Sequence, residues 1–251
     1  ALGVSLGGIP QMILLPIIIV AGFLAGGIWA AIPALLKTKL KVDDVVSTLL
    51  LNYVMIHIMG ALLFGPLQQP DSSWPRSSAI VEAACYPILL VRSRFHLGIP
   101  LAFLAVLIIW FINKKTIFGY QSRAVGVNAR AAEFGGINTT KVILWTALIS
   151  GGLAGLAGVG ELCAIQRRLI MDISPGYGYS GIVIAMLGNL HPIGVLFSSL
   201  FFSVIIVGAQ TMSRMTGVPT YIAEVIQGMA LMVMLIFLLF TEYKIRRVRK
   251  K

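Results

Sequence analysis

Long apolar runs constrain this chain most, because each run must be buried in a protein core or in lipid. Seven runs are long and apolar enough, with flanking residues, to cross a bilayer, which needs roughly 20 residues. They lie at 12–36, 45–64, 99–112, 142–165, 179–190, 193–212 and 221–240. The fifth run crosses only if residues from Ile173 or Ser174 extend it. The pattern predicts an all-α polytopic membrane protein of about seven transmembrane helices, including a broken or short helix.

The composition supports a membrane protein. Hydrophobic residues make up 58% of the chain and charged residues 12%, against about 45–50% and 25% in soluble domains. This composition predicts contact with a lipid bilayer. Excess Lys and Arg in such a chain mark cytoplasmic loops, so the net charge of +11 does not indicate a nucleic-acid partner. Cys85 and Cys163 have no pattern that predicts a disulfide framework or a metal cluster. We expect one transmembrane domain over 1–251 that lacks its natural N-terminus.

The distribution of positive charge predicts the orientation. Six Lys and Arg residues lie in the basic tail at 241–251, so the C-terminus is expected in the cytoplasm. With seven crossings, 14 Lys and Arg residues lie on the cytoplasmic side and six lie outside. The longest outer loop, at 65–98, is proline-rich. It is either a linker or a segment that packs on the bundle, with an amphipathic or re-entrant piece at 79–91.

The segment from Phe118 to Asn138 interrupts the apolar pattern with a polar, basic stretch rich in Gly and Ala. It lies in the loop at 113–141, which the orientation places in the cytoplasm. Alanine favours helix, and we expect Gly126 and the pair Gly135–Gly136 to bound a short helix there. Small side chains allow a partner to approach closely. The segment therefore predicts a docking surface for a soluble partner, with an ordinary solvated loop as the alternative.

Glycine is concentrated in the fourth run, at 150–160. Two small-xxx-small pairs, Gly151 with Gly155 and Ala154 with Gly158, let helix backbones approach closely. The same small residues are compatible with lining a transport path, and both interpretations stay open. Pro and Gly at 174–181 flank the short fifth run. They predict a broken helix whose irregular backbone lines a cavity.

Polar side chains inside the runs are costly in lipid, and ionisable ones are candidate functional residues. Tyr53 and His57 share one face of the second run at i, i+4, where an interhelical hydrogen bond is the alternative role. Glu161 lies near the outer end of the fourth run, where it is either hydrated, paired with Arg167 or Arg168, or functional. The candidate residues of a solute path are Asn52, Tyr53, His57, Gly155, Glu161, Tyr177 and Gln227.

Catalytic motifs are missing from the sequence. It contains no Ser/His/Asp set, no HExxH, no metal-ligand spacing and no Walker A loop. We therefore expect no enzyme activity of the chain itself, no metal and no bound cofactor.

Four stretches resemble a known family. They read KVDDVVSTLLLNY at 41–53, RAVGVNARAA at 123–132, PGYGYSGI at 175–182 followed by LGNLHP at 187–192, and GVP with VIQG between 217 and 228. In this order they resemble the permease subunits of ABC importers of the ribose/branched-chain amino acid type, and most closely the nucleoside and simple-sugar permeases. A further family stretch similar to NIGxEGQ is not found, which agrees with an expected N-terminal truncation.

The resemblance implies that the chain is part of a transport complex in a bacterial plasma membrane. This chain would pair with a second permease copy or a paralogue, two ABC ATPase subunits would hydrolyse ATP, and an extracytoplasmic substrate-binding lipoprotein would deliver the solute. Arg123 and Arg130 could pair with acidic groups on the ATPase. The implied coupling residues are Arg123, Gly126, Asn128, Ala129, Arg130, Ala131 and Glu133.

The transported solute stays open at this stage. Nucleosides or simple sugars are the first hypothesis, and a branched-chain amino acid permease is the alternative within the same class. A zwitterionic amino acid would require buried charge partners or exposed helix termini along its path. From another class, an ATPase-independent channel or secondary carrier would need coupling-ion carboxylates at mid-membrane.

Overall fold

The computed structural model describes residues 10–70, 74–90, 93 and 95–216, together with eight separate positions between 221 and 236. Gln227, most of the seventh run and the basic tail at 241–251 lie outside the described residues. The helices are α1 (Gln11–Leu40), α2 (Asp44–Leu63), α3 (Gly98–Lys115), α4 (Ile117–Val127), α5 (Ala129–Phe134), α6 (Thr139–Gly160), α7 (Tyr177–Leu187) and α8 (Pro192–Thr216). A 3-10 turn at Glu82–Ala84 and a π-helical turn at Glu161–Gln166 complete the described helical elements.

Five of these helices are long and apolar enough to cross a membrane, namely α1, α2, α3, α8, and α6 together with its π-helical turn. They confirm the first four predicted spans and the sixth. The predicted broken or short helix is confirmed as α7, which begins only at Tyr177 after Gly176 with a φ of 72°, so no helical residues extend it back to Ile173 or Ser174. With 11 residues, α7 is about 16 Å long, too short to cross the roughly 30 Å of hydrocarbon alone. The all-α polytopic class is confirmed.

Side-chain caps fix where the helices begin on one side of the protein. The carboxylate of Asp43 accepts hydrogen bonds from the amides of Val45 and Val46 at 2.8 and 3.1 Å, which starts α2. The amide oxygen of Asn138 accepts from the Lys141 amide at 3.0 Å, which starts α6. Asn and Asp are favoured at this position because the first amides of a helix have no intrahelical acceptor.

The described chain forms two compact units, residues 1–174 and 175–251. The first unit is organised by a close contact between α1 and α6. Gly22 of α1 faces Gly155, and Gly26 faces both Gly151 and Gly155. Residue numbers rise along α1 as they fall along α6, so the two helices are antiparallel.

Only glycine fits at the centre of this contact. A Cβ atom at Gly26 would lie 2.9 Å from the Cα atom of Gly155, and one at Gly155 would overlap the carbonyl oxygen of Gly22. The predicted pair Gly151/Gly155 is thus confirmed as a packing surface. The second predicted pair is wrong for this contact, because Ala154 and Gly158 are exposed on another face of α6.

The loop at 65–98 folds over one end of the first unit, and we call it the cap. Of the two alternatives for this loop, the structure supports a segment that packs on the bundle and rules out a simple linker. The amides of Ser77, Ile80 and Tyr86 donate hydrogen bonds to carbonyl oxygens of the chain that follows α6, at 2.9 to 3.0 Å. Tyr86 packs with Leu15 and Cys163 in a buried cluster. Burial raises the pKa of Tyr86 to about 12, so its hydroxyl stays neutral at physiological pH. Within 79–91 the described helical piece is only the 3-10 turn at Glu82–Ala84.

The opposite end of the first unit, which we call the basic face, consists of the turn from α1 to α2 and the segment at 113–141. α3 starts at the cap, where Leu101 packs on the buried cluster, and it ends at the basic face, where α4 and α5 follow. The described Lys and Arg residues of the cap are Arg76, Arg167 and Arg168. Those of the basic face are Lys37, Lys39, Lys41, Lys114, Lys115, Arg123, Arg130 and Lys141.

The glycine contact between α1 and α6 leads to a prediction about the stability of the protein. The substitution Gly155→Ala should lower the free energy of unfolding by about 1–3 kcal/mol, because the added methyl group overlaps backbone atoms that cannot move without separating the helices. The measurement is the thermal unfolding midpoint of the purified protein in detergent.

Gly158→Ala is the matched control, since a Cβ atom there meets nothing within 4 Å. The control should melt at or slightly above the wild-type temperature, because alanine favours helix over glycine. Equal midpoints for the two variants would contradict the packing described here.

Candidate functional site

The polar segment of the basic face folds into two consecutive helices, α4 and α5. The hydroxyl oxygen of Thr116 accepts a hydrogen bond from the Gly119 amide at 3.1 Å and starts α4. Gly119 is buried against the carbonyl groups of Ile112 and Asn113 at the end of α3, where a Cβ atom would overlap them. The Arg123 guanidinium donates a hydrogen bond to the Asn113 carbonyl oxygen. These contacts hold α4 against the end of α3.

The predicted short helix is present as α5, but a different residue starts it. The chain is extended at Asn128, with φ −156° and ψ 105°, and its side-chain oxygen accepts from the Ala131 amide at 3.1 Å. Gly126 lies inside α4, so the prediction that Gly126 begins the short helix is wrong. An asparagine cap satisfies an end amide without a glycine. The predicted end is confirmed, since α5 stops at Phe134 and Gly136 has a φ of 83°.

The surface of these helices is open. All seven predicted coupling residues are exposed: Arg123, Gly126, Asn128, Ala129, Arg130, Ala131 and Glu133. Arg123 has an intramolecular partner in Asn113, whereas no hydrogen bond or ion pair of Arg130 occurs among the described residues. The structure therefore gives the two arginines different environments, one bonded to α3 and the other facing outward.

Sequence reasoning missed two apolar residues of this surface. Val127 is 89% exposed at the end of α4, and Phe134 is 98% exposed at the end of α5. The available signal was their large apolar side chains in a segment that is mostly polar or small. These two are among the most exposed large apolar side chains of the described residues.

The polar residues of α2 lie near the middle of the predicted membrane layer. Asn52, Tyr53 and His57 are all exposed, and Tyr53 is 62% exposed. They lie 8 to 13 residues from the start of α2, which is about 12–20 Å along the helix axis. No described helix of the first unit covers these three side chains. They are available to a solute path or to another subunit.

Glu161 begins the π-helical turn at the cap end of α6 and is half-buried. Its carboxylate accepts a hydrogen bond from the Gln166 side chain at 3.3 Å. The alternative that paired it with Arg167 or Arg168 is wrong, because Arg168 instead donates to Gln69 at 3.2 Å and no ion pair of Glu161 with either arginine occurs among the described residues. π-helical turns are frequent at functional sites.

The remaining candidate path residues belong to different parts of the chain. Gly155 lies in the contact with α1, Tyr177 is an exposed residue at the start of α7 in the second unit, and Gln227 is outside the described residues. An open cavity of about 370 Å³ lies at the basic face beside the ion pair of Lys37 with Asp44, and none of the candidate path residues lines it.

Comparison with known proteins identifies the family. The family described as the branched-chain amino acid transport system / permease component matches residues 1–236. The chain belongs to this permease family. No solved structure matches the permease.

Relatives of the permease are named as ABC transporter subunits. A glucose ABC transporter permease protein of Haloferax volcanii is 32% identical over 98% of this chain and 66% of the relative. A guanosine ABC transporter permease protein of Bacillus subtilis is 32% identical over 96% of this chain and 69% of the relative. A nucleoside ABC transporter permease protein of Lactococcus lactis subsp. cremoris is 29% identical over 88% and 63%. The chain spans about two thirds of the length of these relatives.

The asparagine cap of α5 generates a local prediction. Asn128→Ala should weaken α5 by about 0.5–2 kcal/mol, the usual cost of losing a cap, because a six-residue helix has little stability of its own. Hydrogen–deuterium exchange of the amides at 129–134 should become faster in the variant.

Asn138→Ala is the matched control, since it removes the same type of cap from the much longer α6. Faster exchange in this control should be confined to the first turn of α6. Unchanged protection of α5 in Asn128→Ala would refute the capping role.

Proposed function

We propose that this chain is the membrane-spanning permease subunit of an ABC importer for nucleosides or simple sugars. The match of the permease family to nearly the whole chain carries the proposal. The names of the relatives support these solutes, because they specify glucose, guanosine and nucleosides. Its partners would be two ABC ATPase subunits that bind ATP, a second permease copy or a paralogue, and an extracytoplasmic substrate-binding lipoprotein. The chain itself would bind no cofactor.

The orientation we propose places the basic face in the cytoplasm of a bacterial plasma membrane. The proposed C-terminus on the same side requires three crossings after α6, with the segment around α7 as one of them. Eight described Lys and Arg residues lie at the basic face and three at the cap, and positive residues are enriched in cytoplasmic loops. The cap would then face the extracytoplasmic side, where a binding protein delivers the solute.

The contacts of α4 and α5 support a role in coupling. ATP-driven movement of a partner bound at these helices would reach α3 through Arg123 and Gly119, which contact the end of that helix. It would also reach α6 directly, because α5 is followed by the Gly135–Gly136 turn and the capped start of α6. The glycine contact joins α6 to α1, so three membrane helices would respond to one docking surface.

The exposed polar residues in the middle of α2 support the proposed solute class. Asn52, Tyr53 and His57 offer hydrogen-bond donors and acceptors without a fixed charge, which suits the hydroxyl groups and bases of sugars and nucleosides. A branched-chain amino acid would call for charge partners at its ammonium and carboxylate groups, and the mid-section of α2 contains none. The coupling-ion carboxylates that would favour an ATPase-independent carrier are absent there too.

The solute assignment is tested with the purified complex. The permease, its ATPase subunits and its binding protein are reconstituted in lipid nanodiscs, and ATP hydrolysis is measured with guanosine, glucose or leucine. We expect a nucleoside or a sugar to stimulate hydrolysis, because the loaded binding protein favours the catalytically active state.

His57→Ala should reduce solute uptake while leaving complex assembly intact. Stimulation by leucine alone would transfer the assignment to amino acids, and uptake that persists without ATPase subunits would identify a carrier.

The orientation is tested by cysteine accessibility. Ala129→Cys at the basic face and Trp74→Cys at the cap, both at exposed positions, are labelled with a membrane-impermeant maleimide. In intact spheroplasts we expect labelling of the Trp74 variant only, and in inside-out vesicles labelling of the Ala129 variant. The unmodified chain reports the background from its two buried cysteines. The reverse pattern would refute the proposed orientation.

A further inference from the structure

The two cysteines of the chain, Cys85 and Cys163, come together at the cap. They are distant in sequence, since Cys85 follows the 3-10 turn at Glu82–Ala84 and Cys163 lies in the π-helical turn after α6. The Tyr86 amide donates a hydrogen bond to the Cys163 carbonyl oxygen at 3.0 Å. Because the Tyr86 nitrogen is bonded to the carbonyl carbon of Cys85, this hydrogen bond holds the two cysteine Cα atoms within about 8 Å of each other.

The end of a membrane helix explains this contact. The last carbonyl groups of a helix have no amide partner within it, and Cys163 is one of the last four residues of the π-helical turn. The cap supplies donors here, because the amides of Tyr86 and Ile80 donate to the carbonyl oxygens of Cys163 and Arg167. Backbone hydrogen bonds therefore fix the position of Cys163 beside the cap.

The side chains of both cysteines are buried at this contact. Cys85 is 9% exposed and Cys163 is 2% exposed, and the two thiol groups are close enough to influence each other electrostatically. The Cys85 thiol makes a weak contact with the Val81 carbonyl oxygen, with 3.8 Å between sulfur and oxygen. No hydrogen bond of the Cys163 thiol occurs in the part of the chain that the structure describes. Neither thiol is thus engaged in a strong hydrogen bond that a new covalent bond would break.

The position and compartment of this pair both suit a disulfide. Disulfides join Cα atoms that are about 4.4–6.8 Å apart, which the hydrogen bond between Tyr86 and Cys163 permits. The proposed orientation places the cap outside the cytoplasm, where disulfides form and persist. Two buried free thiols that act as small apolar side chains are the alternative, but that role does not require cysteine at both positions.

We infer that Cys85 and Cys163 form a disulfide that ties the cap to the end of α6. This inference rests on the proposed function, because it requires the cap to be extracytoplasmic. The bond closes a covalent loop over residues 85–163, which contains α3 to α6. In the oxidised protein the cap and the end of α6 stay together when the rest of the unit moves.

The oxidant is the disulfide of an extracytoplasmic thiol–disulfide oxidoreductase. The thiolate of one cysteine attacks a sulfur of that disulfide, which forms a mixed disulfide and releases the other sulfur as a thiolate. The thiolate of the second cysteine then attacks the permease sulfur of the mixed disulfide, so the new S–S bond forms and the reduced oxidoreductase leaves. Two electrons and two thiol protons pass to the oxidant. Because both thiols are buried in the folded protein, the exchange takes place before the cap closes.

The redox state of the chain in cells tests this disulfide. Cells that produce the complete permease are quenched with acid, and the denatured chain is treated with a light maleimide, then reduced and treated with a heavy maleimide. With two cysteines in the chain, mass spectrometry assigns each label. We expect the heavy label at both positions in most chains, and a linked peptide pair containing Cys85 and Cys163 when reduction is omitted. The light label at both positions would overturn the inference.

Cys85→Ala and Cys163→Ala are the matched controls. Each variant leaves one cysteine without its partner, and that cysteine should take the light label. A wild-type disulfide that instead joins two copies of the chain would run as a dimer on a non-reducing gel, and would overturn the pairing within one chain.

Thermal unfolding tests what the bond does for the cap. Reduction should lower the unfolding midpoint of the purified permease in detergent by about 5 °C or more, because the disulfide restricts the unfolded chain over a long loop. The double variant Cys85→Ala/Cys163→Ala should show no such shift with the same reductant. A wild-type midpoint that stays unchanged after complete reduction would overturn the role of the bond in holding the cap.

The cysteine accessibility experiment separates this disulfide from the proposed function. Reduced thiols in cells, with labelling of the Trp74→Cys variant from outside, would overturn the disulfide and leave the orientation and the permease function standing. Reduced thiols together with labelling of that variant only in inside-out vesicles would overturn the orientation as well.

Discussion

The antiparallel contact between α1 and α6 is the interaction on which the first unit depends. In lipid, apolar side chains gain little by leaving one hydrocarbon environment for another, so helices associate through close packing. Gly22 and Gly26 of α1 meet Gly151 and Gly155 of α6 with backbone against backbone. Such contact brings many atoms into van der Waals range and leaves no room for a Cβ atom. The geometry of the pair is therefore fixed more narrowly than larger side chains would allow.

The contact between α1 and α6 also fixes the positions of the elements at the two ends of the first unit. At one end, the chain after α6 pairs with the loop at 65–98 around Tyr86 and Cys163, and forms the cap. At the other end, α6 begins at the Asn138 cap directly after α5. A force applied at α5 thus acts on a helix whose far end is held by the cap and whose middle is held by α1. This arrangement is consistent with the coupling role that we propose for α4 and α5.

The polar residues of α2 are side chains that the rest of the first unit does not cover. Asn52 and His57 are exposed on a helix that lies in the apolar layer, and no described helix of the first unit covers them. Polar groups facing hydrocarbon are costly, so a stable assembly gives them water, solute or another protein surface. In the transport function we propose, these side chains would be exposed because they line the path of the solute.

The local sequence predicted much of the architecture. The apolar runs set the positions of the long helices to within a few residues, and the alanine-rich segment with its following glycines predicted α5, because helix propensity and chain breaks act over a few residues. The Gly151/Gly155 pair also revealed one side of the central contact. Its partner pair in α1 has the same spacing, but a sequence pattern does not say which two helices meet. Only the tertiary structure decided that pairing, the folding of the cap and the outward position of Phe134, since each depends on contacts between residues distant along the chain or on which side of a helix is covered.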